Sequence, residues 1–227
     1  MDSLSENIRS IHERMTATAR KAGRDPAAVQ LIAVSKGHDV AAVEQALAAG
    51  QNVFGENRVQ EAKAKFLTLR AAHPTLELHL IGPLQTNKAE EAVELFDVIQ
   101  TLDRPNLAAA LAKANAKTGR KPRLYIEVNI GREPQKAGIM PEGLTDFVKQ
   151  CRDEYGLLVN GLMCIPPQNE DPRAAFQQLA ALAKTHNLQR VSMGMSADFE
   201  SAIACGATEV RIGTAIFGPR PPFIEKN

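Results

Sequence analysis

Eight short apolar runs, each divided from the next by a stretch with helical spacing, limit the fold of this chain more than any other feature. The runs are Leu31–Ser35, Asn52–Phe54, Leu76–Ile81, Asp97–Thr101, Leu124–Asn129, Leu158–Ile165, Arg190–Met193 and Glu209–Ile212. Several are apolar throughout rather than at alternate positions, which suits parallel strands covered on both faces by helices. Regular strand–helix alternation predicts a parallel sheet with right-handed crossovers. Eight such units in 227 residues fit a closed (β/α)8 TIM barrel at the lower end of its size range. An open doubly wound sheet is the competitor. It would more often carry a GxGxxG turn after its first strand, and only Lys36-Gly37 stands there.

The intervening stretches carry helix punctuation. Asp39 can cap the VAAVEQALAAG segment, and Gly50 can end it in a left-handed conformation. Pro105, Pro141 and Pro172 stand where a first helical turn accepts proline. Ahead of the first strand, Leu4, Ile8, Ile11 and Met15 recur at helical spacing between Ser3 and Ala22. They predict an extra N-terminal helix within residues 1–25, before a barrel over residues 31–218. No composition break or Pro/Gly/Ser linker divides the chain, so residues 1–227 read as one domain.

Composition removes several functions. The 27 Lys+Arg residues are balanced by 26 Asp+Glu with no basic patch, so nucleic acid is not an expected partner. No Trp and 4% aromatics give little surface on which bases could stack. No apolar run reaches membrane-spanning length. The opening MDSLSENIRS is polar and acidic, unlike a secretory signal. Cys151, Cys164 and Cys205 form an odd set without metal spacing, and read as reduced core residues of a cytoplasmic protein.

In such a barrel the chemistry sits where strands end. Lys36 follows the first strand. Gly55 to Arg58 (GENR) follow the second, Gly194 to Ser196 the seventh, with a helix expected from Ala197, and Gly213-Thr214 the eighth. Loops after strands 7 and 8 commonly hold a phosphate. Each turn alone reads first as an ordinary helix cap. As a pair at those two strand ends, Ser196, Gly213 and Thr214 favour a phosphate cup. Strand 8 closes on strand 1, so a phosphorylated aldehyde could span from that cup to Lys36 and form an imine. A solvated strand-end lysine is the bland alternative, set aside only by this constellation. Arg211, inside the eighth strand, needs an acceptor if it points inward. A ring nitrogen of a cofactor and an internal ion pair with Glu56 or Glu209 are equal alternatives.

The segments AVSK, FGENRVQE, LHLIGPLQTNK, LMCIPP, VSMGMSADFESAI and ATEVRIGTAIFG occur in order from Leu31 to Gly218. The chain resembles in them the YggS/PROSC family of pyridoxal 5′-phosphate homeostasis proteins, single barrels similar to the N-terminal domain of alanine racemase. The resemblance implies that Lys36 holds pyridoxal 5′-phosphate as a Schiff base. It places Ser196, Gly213 and Thr214 at the phosphate, Met195 in the same turn, Arg211 at the pyridine nitrogen and Asn57 on the cofactor's wall. It suggests a part in cofactor exchange for Lys136, which reads equally as a solvated loop residue.

A racemase needs a second acid/base across the cofactor from its lysine. The related racemases are expected to take it, as a tyrosine, from a C-terminal domain that does not follow here. Tyr125 lies early in a strand and Tyr155 near a helix end, so neither sits where that group belongs. His79, within the third strand, reads first as a satisfied core histidine. The expectation is therefore a non-catalytic carrier, a monomer, that buffers pyridoxal phosphate or delivers it to client enzymes. A pyridoxal-dependent racemase or lyase is the alternative, and a phosphosugar enzyme with a sugar imine on Lys36 a third.

Overall fold

Each expected apolar run forms a strand, and the strands pair in sequence order into a closed, all-parallel barrel. The computed structural model describes residues 3–168 and 170–219. The ends of the expected 1–227 domain, residues 1–2 and 220–227, lie outside the described residues. The strands are β1 (Gln30–Val34), β2 (Val53–Glu56), β3 (Glu77–Leu80), β4 (Val98–Leu102), β5 (Arg123–Glu127), β6 (Val159–Met163), β7 (Arg190–Ser192) and β8 (Glu209–Ile212). The seam closes through four parallel pairs, from Gln30 with Glu209 to Ala33 with Ile212. That register brings the end of β8 against the end of β1.

Helices cover the outside: α1 (Ser3–Lys21), α2 (Val40–Ala48), α3 (Val59–Ala72), α4 (Ala89–Leu95), α5 (Pro105–Thr118), α6 (Leu144–Asp153), α7 (Arg173–Thr185), α8 (Phe199–Ala204) and α9 (Thr214–Phe217). The Asp39 carboxylate accepts the Ala42 N–H at 3.0 Å, and Gly50 takes φ +88° just past α2, as its sequence punctuation predicts. Pro105 opens α5, while Pro141 opens a short 3-10 turn ahead of α6. Asp171 accepts the Arg173 N–H, so α7 begins one residue after Pro172. On α1, Leu4, Ile8, Ile11, Met15 and Ala19 are buried against the helices that flank the seam. Asn7 Nδ2 donates to the Ile216 carbonyl at 2.9 Å, tying α1 to α9.

Apolarity overstates some strand limits. Leu158 is 76% exposed and Ile165 42%, so β6 is shorter than its hydrophobic run. Conversely β2 runs on through Gly55 and Glu56, residues of low strand propensity, because both are buried between β1 and β3. Cys151 and Cys164 are buried as expected, but Cys205 is only partly so.

The barrel interior is polar along one line. Arg211 Nη1 donates to Ser192 Oγ at 2.7 Å, and Ser192 donates to Gln100 Oε1 at 2.7 Å. Gln100 Nε2 lies 2.8 Å from His79 Nδ1 and 3.1 Å from Glu209 Oε2, and His79 Nε2 lies 2.6 Å from Glu77 Oε1. Tyr125 donates its hydroxyl to Glu209 Oε1 at 2.6 Å. Against the cost of burial, contacts to His79 and Arg123 hold the Glu77 carboxyl down at about 2. Every member of the line has a partner, the condition on which a buried polar network stabilises rather than destabilises. His79 is thus the satisfied core histidine its position suggests.

Candidate functional site

The seven residues singled out from the sequence, Lys36, Asn57, Met195, Ser196, Arg211, Gly213 and Thr214, line one cavity of about 530 Å³ at the C-terminal mouth of the barrel. They come from both ends of the chain and meet because β8 pairs with β1. Gly213 shows how close the approach is. A Cβ there would sit 3.2 Å from the Val34 carbonyl oxygen, two residues before Lys36.

The turn after β7 differs in detail from expectation. The helix starts at Phe199 rather than Ala197, because the Asp198 carboxylate accepts the Met195 N–H at 2.6 Å and closes a turn over Ser196 to Asp198. That turn lifts Ser196 over the first turn of α9, where its Oγ accepts the Ala215 N–H at 3.4 Å. A hydroxyl and the first amides of α9 therefore share one wall. Such groups suit an anion, which satisfies backbone donors at a helix start.

Of the two alternatives for Arg211, the structure removes the internal ion pair. Arg211 pairs with neither Glu56 nor Glu209. Its acceptors are the Ser192 hydroxyl and, through Nη2, the Cys164 carbonyl at 2.8 Å. Glu56 bonds Ser35 and Lys65, and Glu209 bonds Tyr125 and Gln100. Two neutral acceptors fix the plane of the guanidinium at the cavity floor without neutralising it. Burial pushes its pKa below the usual arginine value.

Just past β2, Asn57 Oδ1 is buried and has no hydrogen-bond partner. Rotating the amide would present the nitrogen in its place, so Asn57 can offer a donor or an acceptor to a bound molecule. Lys136 also lines the cavity. Its Nζ pairs with Glu133 and donates to the Pro166 carbonyl at 3.3 Å. Asn129, at the end of the expected fifth strand, staples this loop: it bonds the Glu133 backbone through both amide atoms and the Lys136 carbonyl at 3.2 Å. Neither tyrosine lines the cavity.

Glu127 is an ionisable cavity residue that sequence reasoning missed. The fifth strand was expected to end at Asn129, and its true end is two residues earlier, so the carboxylate passed for an interior position. Burial, and then the Asp103 charge, raise its pKa to about 7, with Arg211 opposing. The stability tied to protonated Glu127 is in place below its ordinary value of 4.5 and is lost as pH rises through about 7. Glu127→Gln is expected to raise the melting temperature of the ligand-free protein by a few degrees at pH 8.5. The gain should vanish as pH approaches 4.5; an equal shift at both ends of that window would show that the carboxyl is not titrating there.

Residues 1–221 match the family model described as "Alanine racemase, N-terminal domain". The pyridoxal phosphate homeostasis protein of Vibrio cholerae is 40% identical, over 97% of this chain and 98% of its own. The chain belongs to this family. Among solved structures, PipY of Synechococcus elongatus PCC7942 in its form without PLP is 40% identical, with a TM-score of 0.82 over 95% of this chain and all of its own. A second structure of the same protein, described as having PLP bound, is 39% identical with a TM-score of 0.81. The family likeness thus rests on whole-chain correspondence, not on isolated motifs.

Proposed function

We propose that this chain binds pyridoxal 5′-phosphate reversibly and serves its homeostasis. The observation that carries the reading is the meeting of one lysine amine and an anion-suited wall in a single cavity across the barrel seam. The cavity's size is in the usual range for a small-molecule site. The names of the chain's relatives point the same way.

In this reading Ser196, Gly213 and Thr214 hold the phosphate, with Met195 beside them. Asn57 supplies its amide to the ring's polar edge. Arg211 faces the ring nitrogen and, being positively charged, keeps it unprotonated. When bound, pyridoxal phosphate supplies an aldehyde and an electron-accepting ring. Lys36 would hold the cofactor through that aldehyde, its Nζ being the amine that could take the place of the carbonyl oxygen, which would depart as water with both amine protons. Reversal by water frees the cofactor, so the protein can keep the free aldehyde scarce and release it to client enzymes. The carrier reading draws on the position of the tyrosines, both away from the cavity. It is completed by the chain acting as one domain and as a cytoplasmic monomer.

One observation favours the runner-up, a racemase or lyase. Glu127 brings a group that titrates near neutrality into the same cavity, as an acid/base catalyst must. Steady isomerisation of an amino acid by purified protein, lost in both Lys36→Ala and Glu127→Gln, would replace the carrier reading.

The deciding experiment is an absorption spectrum before and after adding pyridoxal phosphate, followed by borohydride reduction and peptide mapping. A visible band that bleaches, with the tag on Lys36, is expected. Ser196→Ala should weaken cofactor affinity by about 1–3 kcal/mol through loss of a charge-assisted hydrogen bond, read by titration. Unchanged affinity would move the phosphate elsewhere.

A further inference from the structure

The turn that carries Lys36 is bolted from below by a buried lysine. Lys65, on α3, is 6% exposed. Its Nζ donates to the Ser35 carbonyl at 2.8 Å and to the His38 carbonyl at 3.2 Å, one on each side of Lys36. The same ammonium lies 2.6 Å from Glu56 Oε1 and 2.9 Å from Glu61 Oε1. Glu61 in turn accepts the Gly37 N–H at 2.6 Å, and Glu56 accepts the Ser35 hydroxyl at 2.6 Å. The backbone of residues 35, 37 and 38 is thus held by charged groups, while Gly37, at φ +77°, gives the turn its left-handed bend.

A buried lysine is costly unless paired and hydrogen-bonded. A stretch of five residues between a strand and a helix does not need one to form, because Asp39 already caps α2. What the cluster adds is a fixed direction for the residue at the centre of the turn. From this geometry we propose that Lys65, with Glu61, is a positioning residue that sets the Lys36 amine for addition to the cofactor's aldehyde.

The inference rests on the reading of Lys36 given above. The step it serves is an addition with loss of water: the Lys36 nitrogen forms a bond to the aldehyde carbon, and the carbonyl oxygen departs carrying the two amine protons. No electron donor or acceptor is involved. Lys65 touches neither reacting atom, so removing it should slow attachment without weakening the contacts that hold the phosphate and ring.

The test compares full-length wild type, Lys65→Met, Glu61→Ala and Glu61→Gln. Two quantities are read: the rate at which absorbance changes on mixing with pyridoxal phosphate, and the calorimetric affinity for 4′-deoxypyridoxine 5′-phosphate, which has no aldehyde. Lys65→Met is expected to react about 10- to 100-fold more slowly and to bind the unreactive analogue as wild type does. Glu61→Ala should also be slow, and Glu61→Gln, which keeps an acceptor for the Gly37 N–H, should recover the wild-type rate. A wild-type rate in folded Lys65→Met overturns the proposal. So does a parallel loss of analogue binding, which would make Lys65 a general support of the pocket. Should Lys65→Met fail to fold, the Glu61 pair decides, and equal rates in Ala and Gln overturn it. Failure of the wild type itself to tag at Lys36 sinks the underlying reading instead, and is recognised because no variant is then needed to see it.

Discussion

Lys36→Ala is expected to take up pyridoxal phosphate without the absorbance change that attachment brings, and to show no tagged peptide after borohydride. The fold should survive. Lys36 follows β1 at the open mouth of the barrel and is only half-buried, so its loss leaves no sealed void in the core. The melting temperature of the ligand-free variant should match wild type. The anion-suited wall and Asn57 remain, so residual binding is expected, weaker by on the order of 100-fold, about 2.7 kcal/mol. A variant that kept the band would mean that another amine reaches the aldehyde. Lys136, which also lines the cavity, would be the first to test.

The second large effect is expected at Gly194. The residue sits at φ +91°, where a side chain is strained. A Cβ there would also lie 2.5 Å from the Ala202 Cβ and 3.1 Å from the Phe199 Cα. Both contacts belong to α8, which packs directly on the turn. Backbone strain of about 1–3 kcal/mol adds to overpacking of about 1–3 kcal/mol. Gly194→Ala should therefore lower the melting temperature by roughly 10 °C and displace the turn bearing Met195 and Ser196. Cofactor affinity should fall with it. A variant as stable as wild type would show that α8 can move aside freely, and the turn would lose its claim to be rigid.

Gly194 also shows what could be read in advance. The sequence suggests that a glycine there lets backbone approach a ligand closely. The structure calls for glycine there for another reason, a left-handed bend under a packed helix, and only coordinates show that neighbour. The barrel itself was legible because its strands are buried on both faces, so hydrophobicity alone marks them. Strand ends were less so. At β5 the apolar pattern continues through Val128 to Ile130 beyond the last strand residue, and this hid Glu127. Lys65 was hidden differently. On an amphipathic helix a lysine reads as solvated, and the one hint was Glu61 a turn earlier, a spacing shared with countless surface pairs. Arg211 shows the limit of counting charges: two carboxylates were available, yet a hydroxyl and a carbonyl hold it.

The pairing of β1 with β8 also has a consequence for synthesis. Lys36 leaves the ribosome well before Ser196, Gly213 and Thr214. The wall proposed to retain the phosphate cannot exist until β8 has been made and has docked beside β1. A chain cut short by even its final two strands would own the reactive amine but nothing to capture the anion. On the proposed assignment, vitamin capture is a certificate of a closed barrel, and by mass action the captured molecule would hold β1 and β8 together.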